Sequence, residues 1–243
     1  MPEPAVRLDR LTKRFGGFTA VDGITFDVAP GEIFGFLGAN GAGKSTTIRM
    51  LCGILRPTSG QGTVGGVDIT RNPEDVKGFI GYMSQRFSLY EDLTVGENLD
   101  FYAGIYRVPD AKAATRRALG QAGLSEMRGH VTASLPVGWK QQLSLAAALM
   151  HGPRILFLDE PTAGVDPVTR GRFWKVIRSK AREGTTVFVT THYMTEAEYC
   201  DRLAIMRAGR IIALGSPDGL KQECSTVTLE DVFVSLVGSG GAP

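Results

Sequence analysis

Gly38-Ala39-Asn40-Gly41-Ala42-Gly43-Lys44-Ser45-Thr46 fits the spacing G-x-x-x-x-G-K-[ST], and its flanks are those the spacing requires. Before it runs Ile33-Phe34-Gly35-Phe36-Leu37, a nearly continuous apolar stretch suited to a strand buried on both faces. After it, residues 45–55 carry a helical pattern. A strand, a glycine loop and a helix in this order form a cradle for phosphate. The glycines let successive backbone N–H groups turn inward, and the start of the helix adds its positive dipole end. Lys44 reaches the outer phosphates as a point charge, and the Ser45 hydroxyl is placed for Mg²⁺.

Working outward, residues 5–30 alternate apolar and polar side chains (Val6, Leu8, Ile24, Phe26, Val28), which predicts half-buried antiparallel strands ending at Pro30-Gly31. Residues 155–158 and 187–190 are further apolar strands, each near a helical stretch at 141–150 or 168–182. That alternation predicts a parallel α/β sheet. Between Phe87 and Thr132 the strand signal disappears. Residues 91–104 and 111–122 look helical, broken at Pro109-Asp110, so an all-helical insertion is expected. Residues 229–237 suit a short amphipathic helix, and the terminal Gly-Ser-Gly-Gly-Ala-Pro has linker composition.

A phosphate loop is shared by many enzymes, so the second half of the site carries the specificity. Ile155-Leu156-Phe157-Leu158-Asp159-Glu160 is a buried strand delivering two carboxylates at its end. Asp159 is placed to hold the metal through water and Glu160 to act as general base. Gln85 ends the strand-like run Phe79-Ile80-Gly81-Tyr82-Met83-Ser84, where its amide can bridge the metal or the attacking water to the helical insertion. His192 ends the strand at 185–191 and can point its imidazole at the same phosphate. His130 and His151 follow no such strand and are expected to be structural.

Composition bounds the rest. The chain has 243 residues, with 27 Lys plus Arg against 25 Asp plus Glu. A net charge of +2 gives no broad footprint for nucleic acid, and no nucleic-acid partner is expected. Its 31 glycines are nearly twice the usual share and belong in tight turns and ligand loops. Cys52, Cys200 and Cys224 are too few and scattered for a disulfide framework, and free thiols in a reducing compartment are expected. Neither a signal-like segment nor 18 consecutive apolar residues occur, so the chain is expected to stay in the cytosol.

The glycine loop, Gln85, the Asp159-Glu160 strand, the turn Ala163-Gly164-Val165-Asp166 and His192, in this order, resemble the ATP-binding subunit of ABC transporters over nearly the whole chain. The resemblance implies an α/β fold, a P-loop NTPase with a RecA-like core, an antiparallel β lobe and an α-helical lobe. It implies a single domain over 4–238. The core and β lobe occupy about 4–86 and 152–220, the helical lobe about 87–151, and a C-terminal helix about 228–237, with a flexible tail at 239–243. ATP and Mg²⁺ are the implied ligands. Gly38, Asn40, Gly41, Gly43, Lys44, Ser45 and Thr46 would bind the nucleotide, and Ser45, Gln85 and Asp159 the metal. Glu160, His192 and Gln85 would serve catalysis. Phe15 matches the aromatic that stacks on adenine, although a single aromatic is also an ordinary core residue.

Two such domains would clasp two ATP molecules head to tail, with Pro136, Gly138 and Trp139 of the signature loop contributing across the pair, and Asp166 is a further implied nucleotide-binding residue. Here the sequence departs from the family: Leu135-Pro136-Val137-Gly138-Trp139 stands where L-S-G-G-Q is usual, and the serine that would touch the partner's γ-phosphate is Pro136. That variant, with Thr191-His192-Tyr193-Met194-Thr195-Glu196 and the terminal Leu229-Glu230-Asp231-Val232-Phe233, resembles the subgroup serving exporters with six-helix permeases. The implied partners are a second ATP-binding subunit and an integral membrane permease, which would hold the chain on the cytoplasmic face of the cell membrane. A soluble non-transport ATPase of this type and a regulatory module with a decayed signature are the alternatives.

Overall fold

The computed structural model describes residues 3–238. The tail expected at 239–243 lies outside the described residues, as do Met1 and Pro2. Strands β1 (Val6–Phe15) and β2 (Phe18–Val28) open the chain, followed by β3 (Ile33–Leu37) and helix α1 (Lys44–Leu51) on either side of the glycine loop. Next come β4 (Ser59–Val64), β5 (Val67–Asp68), α2 (Pro73–Val76) and β6 (Ile80–Met83). A helical stretch holds α3 (Val95–Ile105), α4 (Ala111–Ala122) and α5 (Val137–Leu149). The chain then alternates through β7 (Ile155–Asp159), α6 (Pro167–Arg182), β8 (Thr186–Thr191), α7 (Met194–Ala197) and β9 (Arg202–Arg207). It closes with β10 (Arg210–Gly215), α8 (Pro217–Glu223) and α9 (Leu229–Gly238).

The strands form two sheets. One is antiparallel, in the order β2-β1-β4-β5; the other runs β10-β9-β3-β8-β7-β6, parallel except for β10 at its edge. Phe26, Phe34, Phe36 and Phe188 stack between the sheets with ring centroids 5.0–6.1 Å apart. On the other face of the parallel sheet, Phe173, Trp174 and Ile177 of α6 bury against Leu156, Leu158, Val187 and Val189. Each large apolar side chain so buried stabilises the fold by about 1.5–3 kcal/mol. The parallel register pairs Leu37 with Thr191 and Asp159 with Thr190. The glycine loop, the acidic end of β7 and the end of β8 therefore emerge side by side, at the carboxyl edge where α/β sheets bind ligands.

Two strands had no clear signal. Ser59-Gly60-Gln61-Gly62 has no apolar period, and β4 exists because it pairs with β1. Gly60 has φ 83°, and a side chain there would run into the Arg10 carbonyl. β9 is a short buried run, Leu203-Ala204-Ile205-Met206, given its place by pairing with β3. Helix α3 begins at Val95 rather than 91 because Thr94 and Glu97 form a capping box. Glu97 N donates to Thr94 Oγ1 (3.2 Å) and Thr94 N donates to Glu97 Oε2 (2.8 Å). Helix α5 begins at Val137, with Pro136 as its N-cap, four residues before the apolar pattern becomes strong.

Cys52, Cys200 and Cys224 are free thiols, and burial pushes the first two well above the usual thiol range. His151 stacks on Tyr106 with centroids 3.8 Å apart, and its Nε2 lies 2.9 Å from the Ile80 carbonyl oxygen. Burial lowers its proton affinity, opposed by that hydrogen bond, so its folded pKa sits below the unfolded value of about 6.5. Protonation then favours the unfolded chain. The contribution is full above about pH 6.5 and is lost as pH falls through the folded value. Thermal melts from about pH 7.5 to about pH 5 should show Tm falling more steeply in the wild type than in His151→Phe, which keeps the ring stack without a proton site.

Candidate functional site

The loop between β3 and α1 is shaped by glycines where a side chain cannot fit. A Cβ at Gly38 would lie 2.5 Å from the Met206 carbonyl oxygen, and one at Gly43, where φ is 107°, would lie 2.5 Å from that of Ala20. Gly43 is also the N-cap of α1 and brings no side chain to the helix end, so the first-turn amides are left to a ligand. Asn40, Gly41 and Thr46 line a cavity of about 290 Å³ together with Phe15, Gln85 and Glu160. A larger apolar cleft of about 430 Å³ between α4, α5 and α6 contains no carboxylate and none of the phosphate-loop residues. Phe15 is 48% exposed, beneath the Lys13 ammonium at 5.0 Å, and so is not a core residue. Phe18, 63% exposed on the same hairpin end, also lines the cavity. Sequence reasoning missed it, although its position directly after the Gly16-Gly17 turn, opposite Phe15, was the available signal.

Lys44 is buried, 4% exposed. Its Nζ donates to the carbonyls of Gly38 (2.7 Å) and Ala39 (3.1 Å) and pairs with Glu160 Oε1 at 3.3 Å. Glu160 is also buried, and its second oxygen receives Gln85 Nε2 (3.0 Å) and faces His192 Nδ1 (3.2 Å). Its backbone is left-handed, φ 48°, a costly conformation for a non-glycine residue. Thr190 holds it there: Glu160 N donates to Thr190 Oγ1 (2.9 Å), and that hydroxyl donates to Asp159 Oδ1 (2.8 Å). Ser45 Oγ also donates to Asp159 Oδ1 (2.9 Å), whereas Asp159 Oδ2 is buried with no hydrogen-bond partner. Sequence reasoning placed no role on Thr190; its register opposite Asp159 is visible only in the sheet.

The structure thus gathers the glycine loop, Gln85, Asp159, Glu160 and His192, with Phe15 at the rim. Pro136, Gly138, Trp139 and Asp166 do not line this cavity. Pro136 is exposed at the start of α5 and Trp139 is half-buried on the core of the helical stretch. Asp166 caps α6, its Oδ1 accepting from Val168 N and Thr169 N at 3.0 Å.

A family model described as ABC transporter matches residues 21–163, and a shorter match to an AAA domain model covers 138–196. The chain is 48% identical, over 97% of its length, to the Probable multidrug ABC transporter ATP-binding protein YbhF of Escherichia coli (strain K12), but spans only 42% of that protein. It is 41% identical to the Nod factor export ATP-binding protein I of Paraburkholderia xenovorans (strain LB400), over 90% of this chain and 73% of that one. A solved structure described as the ATP binding subunit of an ABC transporter superposes with a TM-score of 0.87 at 27% identity, covering 96% of this chain and 99% of the other. With a family match over more than half its residues and relatives aligned along most of both chains, the chain belongs to the ABC transporter family as an ATP-binding cassette.

Proposed function

We propose that the chain hydrolyses ATP within a head-to-tail pair of cassettes and couples closure of that pair to export through an integral membrane permease at the cytoplasmic face of the cell membrane. The observation that carries hydrolysis is the Glu160 carboxylate, buried at the mouth of the phosphate loop and oriented by Lys44, Gln85 and His192. With ATP in the amide cradle and Phe15 against adenine, the Lys44 ammonium turns from the Gly38 and Ala39 carbonyls to the outer phosphates and releases Glu160 Oε1. Glu160 then takes the proton of the attacking water, while His192 and Gln85 hold its other oxygen in line. Ser45, Asp159 and Gln85 are the residues for Mg²⁺, which neutralises phosphate charge when bound. The unpartnered buried Oδ2 of Asp159 and the neighbouring Ser45 hydroxyl suit such a hard cation.

The second cassette, a copy or a homologue, supplies Pro136, Gly138, Trp139 and Asp166 across the interface. Proline is geometrically compatible with a helix start, and the free amides of the α5 first turn can still meet a γ-phosphate. Losing the serine hydroxyl costs about 1.5–3 kcal/mol for a hydrogen bond to a charged group, roughly ten- to a hundredfold. Pro136→Ser, introduced into hydrolysis-blocked Glu160→Gln protein, should therefore tighten ATP-dependent pairing by about tenfold or more, measured by sedimentation. Export is supported by the names of the relatives. Coupling is supported by the exposed aromatic and apolar side chains of Tyr90, Phe101 and Ile105, in the segment that follows Gln85 in the chain. Steady-state phosphate release, together with copurification of a polytopic membrane protein, tests the reading. Silence in the first assay, with and without that membrane protein, would sink it.

A further inference from the structure

Below the acidic end of β7 lies a second carboxylate that the hydrolytic scheme does not use. Glu196 of α7 is 1% exposed. One of its oxygens accepts from Thr162 Oγ1 and lies 3.4 Å from Arg170 Nε of α6; the other accepts from Thr191 Oγ1 at 2.7 Å. Thr162 stands two residues after Glu160, and Thr191 directly precedes His192. The Thr191 hydroxyl also accepts from Tyr193 N (2.9 Å), so the backbone is pinned on both sides of His192. Arg170 lies over the Tyr193 ring at 4.4 Å and reaches the Val165 carbonyl at 3.4 Å, in the turn that leads to Asp166.

We infer that Glu196 is a positioning residue for hydrolysis: one buried carboxylate ties the turn after Glu160 to the turn bearing His192, and through Arg170 to the Val165-Asp166 turn, so that the three move as one piece. The physical case rests on position and burial. Glu196 touches neither the phosphate loop nor the cavity, so it acts on chemistry only through what it fixes. Through Thr162 and Thr191 it forms one side-chain bridge between the ends of β7 and β8, beside those made by Thr190 with Asp159 and Glu160 N and by His192 with Glu160. A carboxyl group this buried needs hydrogen bonds and partners to offset its desolvation, and here its two hydroxyl donors lie in the segments that carry or flank Glu160 and His192, with Arg170 of α6 as the third partner. A misplacement of about 1 Å at reacting groups costs about a hundredfold in rate.

This inference rests on the hydrolytic role proposed for Glu160, and the test separates the two. In the full chain, Glu196→Ala should lower kcat for ATP by about 10–100-fold with nucleotide affinity unchanged within about threefold. Glu196→Gln, which keeps the shape and one acceptor, should recover part of the loss. Thr191→Val and Thr162→Val, near-isosteric and each missing one hydroxyl, should lower kcat in the same direction and serve if Glu196→Ala does not fold. In Glu160→Gln protein, Glu196→Ala should add less than about threefold, because the group it positions is already gone. Wild-type kcat in a folded Glu196→Ala chain, or an undiminished further loss in the Glu160→Gln background, overturns the positioning role. Unchanged turnover in Glu160→Gln alone overturns the base assignment instead.

Discussion

Glu160→Gln should lower ATP turnover by about 10²–10⁴ while leaving ATP affinity within a few-fold of wild type. The substitution is nearly isosteric, so cavity, fold and phosphate loop persist, and what disappears is the ability to accept a proton. The partners sharpen the effect. Glu160 faces three groups, the Lys44 ammonium at 3.3 Å, the Gln85 amide N–H at 3.0 Å and His192 Nδ1 at 3.2 Å. A glutamine amide has one acceptor where the carboxylate has two, so one of these groups must meet an N–H instead and turn away. Glu160 meets the phosphate loop through the Lys44 ammonium and not through the backbone amides, so the substitution leaves the amide cradle in place. With hydrolysis blocked, the proposed two-cassette state closed by ATP should accumulate, because the step that would reopen it is missing. Phosphate release, equilibrium nucleotide binding and sedimentation with ATP read the three consequences separately. Turnover at the wild-type rate removes Glu160 from the base role, and loss of binding alongside turnover would mean that the carboxylate shapes the cradle rather than the water.

The parts of this site visible in the sequence were those whose chemistry is local. The glycine loop announces itself because φ 107° at Gly43 and the crowding at Gly38 require glycine at fixed steps before Lys44. The Asp159-Glu160 pair is visible because a strand buried on both faces delivers two adjacent acids at its end. What the sequence withheld depends on sheet register, which brings together residues about thirty apart. Thr190 supports the left-handed Glu160 backbone only because β8 lies beside β7 with Asp159 opposite Thr190. Glu196 in turn joins Thr162 to Thr191 only because α7 folds back beneath both strand ends. β4 was hidden for the same reason, since Ser-Gly-Gln-Gly becomes a strand by pairing and not by propensity. Phe15 was ambiguous between core and ligand contact, and its exposure at the hairpin end decides against the core.

Lys44→Ala should lower ATP affinity by about 10²–10⁴. Two charge-assisted contacts to the outer phosphates are worth about 1.5–3 kcal/mol each, and every 1.4 kcal/mol is about tenfold. The lysine is prepared for that task before nucleotide arrives. Its three donors are occupied by Gly38 O, Ala39 O and Glu160, so the buried ammonium is satisfied and fixed at the loop. Phosphate oxygens need only replace these partners, and no unpaired charge is buried at any stage. Alanine removes the contacts and leaves Glu160 without a cation, so nucleotide binding and the orientation of the base fail together. Raising ATP concentration should therefore restore occupancy but not the wild-type rate. Equilibrium binding of a fluorescent ATP analogue and turnover at saturating ATP distinguish the two losses. Glu160→Gln, by contrast, frees Lys44 from a competing carboxylate and should strengthen binding slightly, within a few-fold of wild type. Opposite signs for these two variants on affinity follow from one ion pair, and matching signs would exclude a lysine that passes from the carboxylate to the phosphates.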